Sequence, residues 1–473
     1  MNKKYNVLII IGFFFCGIGS VAAQDIPVTH FMHLNPFQFY TDVTADLPYN
    51  GYVTFPGIGN VNVGVYNNAL RYNKIFERDE AGYPIGIKAN EFVNSLATFN
   101  NAITADVNEE IFGFGFRIKK KCFMSIDYRV RANAEVSFSK DLPGFLVLGN
   151  MAYLGDENEA DMRIGLQGTA YQELGVGFQQ KVNDHWTWGI RPKLLFGALN
   201  VQTQSLQARV HTNPDDYALT LNYEAQARLA SCMPITMNLN NGSYDFELGE
   251  FSRDVIGDAF RNLGAAIDLG LRYNPTSKIG VSLSVTDLGF IHWKTNTYQI
   301  ESCPTNEEEH FDNGDFHFAG LTNDDIELLL SDGGTETMLD SLADYFPLFS
   351  SPTGAYNTML HSRLQAQFDY KINKSNRLSV LAQGRIYNRS LHPALTVAYN
   401  GSFFKIIDVC VAYTLQQKSY DNLAVGLGLN LGPINLYVTT HNILPAFDQT
   451  YLSKVTASVG LVVNWGHLRN NEQ

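Results

Sequence analysis

The sequence predicts an all-β fold: a transmembrane antiparallel β-barrel of about fourteen strands, in the range of roughly 12–16. Three observations predict it. Long ribbons alternate between apolar residues and polar or very small ones, the N-terminus reads as an export signal, and no later apolar run approaches the roughly 20 residues that a spanning helix needs.

The export signal comes first in the chain. Lys3 and Lys4 form a basic n-region, Val7 to Ile18 an apolar core, and Val21-Ala22-Ala23 a small-residue cleavage site before Gln24. Residues 1–23 are therefore expected to be a removed signal peptide, and the mature protein is expected in the outer membrane. Cys16 belongs to the apolar core, because Phe15 stands where a lipidation motif needs a small residue. Loss of Lys3 and Lys4 takes the net charge from −13 to about −15, which argues against nucleic acid or an anionic membrane surface as partner. No Pro/Ser linker, charge block or low-complexity tract divides the 473 residues, so one large domain is expected. The expected divisions are an N-terminal lumenal or periplasmic segment over 24–60, the barrel over 61–466 with a long outer loop at 289–357, and a polar tail at 467–473.

The ribbons follow in order. Phe112 to Ile118 alternates, and Met124 to Phe138 does so without exception: Met124, Ile126, Tyr128, Val130, Val136 and Phe138 on one face, Asp127, Arg129, Arg131 and Glu135 on the other. Leu219 to Leu229, Leu263 to Tyr273, Ile279 to Val285, Leu364 to Tyr370, Leu378 to Ile386, Val409 to Leu415, Leu423 to Leu431 and Val455 to Val463 repeat the pattern. Most reach the roughly 9–11 residues of a tilted membrane strand, beyond the 5–6 usual in globular proteins. At about 3.3 Å per residue the Met124 ribbon extends some 50 Å, past an apolar band of about 25 Å. A slip of one residue would turn Arg129 and Arg131 to lipid at roughly 2–4 kcal/mol each, so the polar face must look onto a lumen. Gly264, Gly270, Gly426 and Gly428 on that face leave space for water, a plug or a ligand. Trp186, Trp188, Trp293 and Trp465 sit near strand ends as girdle residues. Short turns (KKKC, VNDH, NPTSK, INKSN, LGP) alternate with long segments. Strand parity does not close between Val201 and Leu263: either one more strand lies there or a hairpin leaves the wall.

Several stretches carry a resemblance. THFMHLNPFQFY, LPYNGYVTFPGIGNVNVGVYNNALRYNKIF, RPKLLFGALNVQTQ and SVTDLGFIHWKTNTY resemble a Bacteroidetes outer-membrane barrel family of unknown function, whose members are similar to the FadL-like transporter fold. Phe37, after Asn35-Pro36, departs from the small residue of that pattern. The resemblance implies a fourteen-stranded barrel that carries hydrophobic molecules, with N-terminal residues in its lumen; it implies no particular substrate.

Enzymatic signatures (GxSxG, P-loop, HExxH, paired zinc ligands) are absent from the sequence, so neither an enzyme, a metal nor a cofactor is expected. Asp312-Asn313-Gly314-Asp315 lacks the spaced acids of a calcium loop. Cys122, Cys232, Cys303 and Cys410 form no CxxC; Cys232 and Cys303, both in loop-like segments, are a candidate disulfide, with free thiols the alternative. The lumen-facing charges are expected to be Asp127, Arg129, Arg131, Glu135, Asp268, Arg272, Arg363, Asp369 and Arg385, either guiding an anionic group or pairing across a wet interior. Two amphipathic stretches in the 300–350 loop, the first with Asn323 as N-cap, are expected to be short helices. Their apolar residues Ile326, Leu329, Leu330, Met338, Leu339, Leu342 and Phe346 form either an outer hydrophobic ligand site or a cap over the barrel mouth. The functional expectation is passive uptake of a hydrophobic or amphipathic small molecule. The alternatives are a scaffold docking to a secretion or surface protein assembly and, third, a non-specific porin.

Overall fold

The computed structural model describes residues 28–466 apart from 80–83, 100, 120, 156–157, 216, 218, 239–244, 249–256, 258–259, 303–347, 388–389, 405, 417–421 and 449–453. Among the described residues, 19 hydrogen-bonded segments form one sheet, a closed antiparallel barrel of 14 strands. They are β1 (Gly51–Thr54 and Asn60–Asn67), β2 (Asn101–Ile118), β3 (Cys122–Phe138), β4 (Ala160–Lys181), β5 (Trp186–Thr212), β6 (Leu219–Ser231 and Leu263–Tyr273) and β7 (Ile279–Trp293 and Thr297–Glu301). There follow β8 (Phe349–Pro352, Tyr356–Met359 and Ser362–Lys371), β9 (Asn376–Tyr387), β10 (Ser390–Phe403), β11 (Ile407–Gln416), β12 (Leu423–Leu431), β13 (Ile434–Thr440) and β14 (Lys454–Trp465).

Closure is made by β1 against β14, with Tyr52 opposite Asn464 and Val63 opposite Ala457. Pairing thus begins at Gly51, ahead of the boundary expected at 61. A tight turn in which Ile58 and Gly59 donate to the Phe55 carbonyl splits the strand and hides its continuity in the sequence.

The parity problem between β5 and β7 has a similar origin. The two parts of β6 lie end to end along β5, Ser231 opposite Leu199 and Leu263 opposite Phe196. The residues between them are an insertion into a single strand, and they include a hairpin that pairs Ile235–Asn238 with Asp245–Leu248. Asn262 closes the seam: fully buried, its Oδ1 accepts from the Lys294 and Thr295 amides at 2.8 and 3.0 Å, and its backbone pairs with Gly197.

The two faces differ as the alternation requires. Leu427, Leu429 and Leu431 are exposed on the outside, while Gly426 and Gly428 are buried. Bulges reverse the phase at several points among the described residues. One falls between Glu110 and Phe112; at another, Ile267 pairs Leu288 and Leu269 pairs Val285, with Asp287 at φ 58°. Beyond Asp287 the inward residues are Ile291 and Trp293, so Trp293 is a fully buried core residue and not part of a girdle. Its indole donates to Thr358 Oγ1 at 2.8 Å. Trp186 and Trp465 are exposed beside Tyr273 and Phe114 at the short-turn end, in keeping with an interfacial belt. The wall is uneven in height, from 7 residues in β13 to 27 in β5. Above its tall side the helix Ala89–Ser95 packs Phe92 and Val93 beside Phe138 and Leu148.

Residues from Val28 to Tyr49 pack against the inner face. Val28, Phe31, Met32, Phe37, Phe39 and Leu47 share one buried cluster with Leu381, Ala412 and Tyr437 of the wall. Asn35 Oδ1 accepts from the Phe37 amide at 3.0 Å and Pro36 opens the short 3₁₀ turn that follows, which sends Phe37 onto Tyr437 at 5.6 Å. The bare strand positions answer to this segment: a Cβ on Gly426 would lie 2.9 Å from Met32 Sδ, and one on Gly189 2.5 Å from the Val43 carbonyl oxygen.

Gly189→Val tests this packing. Because a backbone atom is the obstacle, the expected cost is about 1–3 kcal/mol, seen as faster protease cleavage in 28–49 while the barrel keeps its heat-modifiable gel mobility. Unchanged protection would refute the contact.

Candidate functional site

Strand period places Asp127, Arg129 and Arg131 of β3 on the same inner face as Glu173 of β4, Arg191 and Lys193 of β5, Asp268 of β6 and Asp287 of β7. They form one buried ion network. Arg191, fully buried, donates to Glu173 at 2.8 Å and Asp268 at 3.0 Å and pairs with Asp127. Lys193 reaches Asp268 at 2.6 Å and Asp287 at 2.7 Å. Arg131 joins Glu173 at 3.1 Å and Asp287 at 2.8 Å, and Arg129 pairs with Asp127 and Glu173. Four cations meet four carboxylates, so the cluster is neutral in sum. Neutrality matters because removing one member strands a charge in a low-dielectric interior.

The N-terminal segment is tied into this layer. Tyr40 lies under the guanidinium groups of Arg129 and Arg191, at 4.6 and 5.0 Å from its ring centre. Its hydroxyl meets that of Tyr52 at 3.1 Å. Nearer the short-turn end Arg272 pairs with Asp369 and approaches Asp42 at 4.0 Å. His30 hydrogen-bonds Thr41 Oγ1 at 2.7 Å through Nδ1 and Gln367 Oε1 at 2.6 Å through Nε2. Burial lowers the pKa of His30, and burial with Arg377 nearby takes that of His33 down to about 4.

Beside the ion network lies a cavity of about 110 Å³. Phe37, Tyr171 and Leu360 line it together with Arg131, Asp106 and Arg363. Tyr171 and Leu360 belong to an apolar cluster on the inner wall with Leu195, Ile291, Trp293 and Tyr356. Arg363 stands directly across the ladder from Arg385. Glu135 accepts from Thr104 at 3.2 Å. Of the charges expected in the lumen, the geometry therefore unites Asp127, Arg129, Arg131 and Asp268; it sets Arg272 with Asp369, and Arg363 with Arg385. Ile326, Leu329, Leu330, Met338, Leu339, Leu342, Phe346 and Cys303 lie outside the described residues.

Glu173, Arg191, Lys193, Asp287 and Tyr40 are functional candidates that the sequence reading missed. Glu173, Arg191 and Lys193 were visible as alternation, since Arg191 and Lys193 are flanked by Ile190 and Leu194. Asp287 was not, because its inward direction depends on the bulge.

A family of unknown function, DUF5723, matches residues 45–441. The chain belongs to that family. No curated protein matches it. Among solved structures the DUF5723 barrel is similar to a Pseudomonas aeruginosa FadL homologue at 9% identity and TM-score 0.45, covering 95% of this chain and 100% of that one. It is also similar to the Pseudomonas putida toluene transporter TodX, at 7% identity and TM-score 0.42 over 96% and 100% of the two chains. The translocator domain of the autotransporter NalP from Neisseria meningitidis aligns at 6% identity and TM-score 0.34 over 91% and 93%.

Arg191→Met in the DUF5723 barrel is expected to lose about 3–5 kcal/mol, because Asp127, Glu173 and Asp268 keep their charge without their shared partner; urea unfolding in detergent micelles measures it. Neutral His30 and His33 set a second expectation. With folded pKa values below the ordinary 6.5, the released segment binds more protons than the packed one, so packing is most stable above about pH 6.5 and weakens as pH falls toward about 4. Protease protection of 28–49 at neutral and acidic pH reads this directly, and equal protection would contradict it.

Proposed function

We propose that this chain is an outer-membrane conduit that admits a small amphipathic molecule from the loop end into the barrel interior, with residues 28–49 acting as a plug that must yield for passage. The observation that carries this reading is the cavity itself. It lies inside the wall, against the packed N-terminal segment, and joins an apolar surface (Tyr171, Leu360) to a charged one (Arg131, Arg363). Such a mixed lining suits a molecule with both characters. The apolar outer face supports a membrane setting, since Leu427, Leu429, Val455 and Val459 are exposed on it. Passage needs no chemistry; it needs the Tyr40 and His30 contacts to open and Asp42 to leave Arg272.

Deleting residues 28–49 tests the plug. In planar bilayers the full chain is expected to stay closed and the deletion to conduct ions in discrete steps. A full chain that conducts as well as the deletion would favour an open porin, and a deletion that stays closed would remove the plug from the mechanism.

A further inference from the structure

The rim of the barrel at the short-turn end changes character around its circumference. The turns from β2 to β3, β4 to β5, β6 to β7 and β8 to β9 carry exposed charges, among them Lys121, Asp184, Lys278 and Lys374. The next two turns are apolar. Between β10 and β11 Phe403, Phe404 and Ile406 are exposed, Phe404 to 89%; between β12 and β13 stand Leu431 and Ile434, also exposed. The Asn430 amide donates to the Ile406 carbonyl at 2.7 Å, so the two turns are neighbours and their apolar residues form one patch. The Asn464 amide donates to the Pro433 carbonyl at 2.7 Å, which sets the patch level with Trp465 of the interfacial belt.

The wall behind this patch is short. β12 has 9 residues and β13 has 7. At about 3.3 Å per residue and a tilt of roughly 40°, they stand about 23 and 18 Å along the membrane normal, less than an apolar band of about 25 Å. β4 and β5, with 22 and 27 residues, exceed that band. At the opposite end of the short side, the turn after β13 also ends on a bare aromatic, Phe447 at 82% exposure. Strands too short for the hydrocarbon leave their tips in it or draw the leaflet inward, and a bare phenylalanine is more stable among acyl chains than in water. We propose that Phe404, Ile406 and Leu431 form a lipid-insertion site. They enter the acyl chains of the leaflet at the short-turn end, so the short side of the barrel is immersed to its tips while the charged turns stand in water. The occupant is lipid and not a protein, because the patch continues into the lipid-facing residues Ile407, Leu429 and Leu436 and the strands behind it fall short of the hydrocarbon thickness. Lys405, next in the sequence to Phe404, is compatible with insertion, since a lysine stem is long enough to bring its ammonium to the headgroups. The proposal is independent of passage through the lumen.

Photo-cross-linking in isolated outer membranes tests the site, with the full chain carrying p-benzoylphenylalanine in place of Phe404 or, for comparison, of Lys278. On irradiation, the chain labelled at 404 is expected to gain the mass of one phospholipid several-fold more often than the chain labelled at 278. A protein adduct at 404, or equal lipid labelling at the two positions, overturns the proposal. Acyl-chain length gives a second readout that adds no apolar surface. Phe404→Asp is expected to cut the folded yield, seen by heat-modifiable mobility, several-fold in long-chain phosphatidylcholine liposomes and little in short-chain ones, because only the thicker bilayer buries the new charge. Lys278→Asp should be tolerated equally in both. An effect of Phe404→Asp that is the same in the two bilayers also overturns the proposal.

Discussion

Backbone hydrogen bonding in a medium without water is the constraint on which the rest of the structure depends. Each N–H and C=O that faces lipid must pair within the wall, so the sheet has to close. It closes where β1 meets β14, and the same requirement explains its irregularities. At the split in β6 the ladder would lose several partners, and the buried Asn262 supplies them with its side chain. The splits in β1 and β8 likewise keep their flanking segments in register with the neighbouring strands. The wall tolerates insertions because pairing resumes on the same partner.

Closure creates an interior, and the interior must be filled or hydrated. Two kinds of residue fill it. Glycines on the inner face of β5 and β12 admit the N-terminal segment to van der Waals contact. Charged residues on β3 to β7 balance each other, and because Arg191 touches three carboxylates the group holds five strands through side chains as well as backbone. Tyr40 sits on that group, so the placement of the segment and the integrity of the network are coupled. The partly exposed Lys371–Asp46 pair at 3.6 Å contributes little by comparison.

Much of this was legible in the chain. Asp127, Arg129, Arg131, Asp268, Arg272 and Asp369 all alternate with apolar neighbours over long ribbons, and a period of two names the inner face without reference to any partner. Phase reversals were not legible. Asp287 lies past the regular Ile279–Val285 pattern, and only its left-handed backbone turns it inward and takes Trp293 with it. Continuity across the β6 insertion was hidden for a related reason: which segment resumes a strand depends on the neighbour that pairs with it.

By itself the sequence determined the two-sidedness of the wall, the strand length and the polarity of the lumen, because these follow from side-chain alternation and the thickness of a bilayer. Only the tertiary structure decided which charges meet, where the cavity lies and what occupies the glycine rows. Those outcomes arise from the register between strands far apart in the chain, where a single extra residue at a bulge exchanges the inner face for the outer.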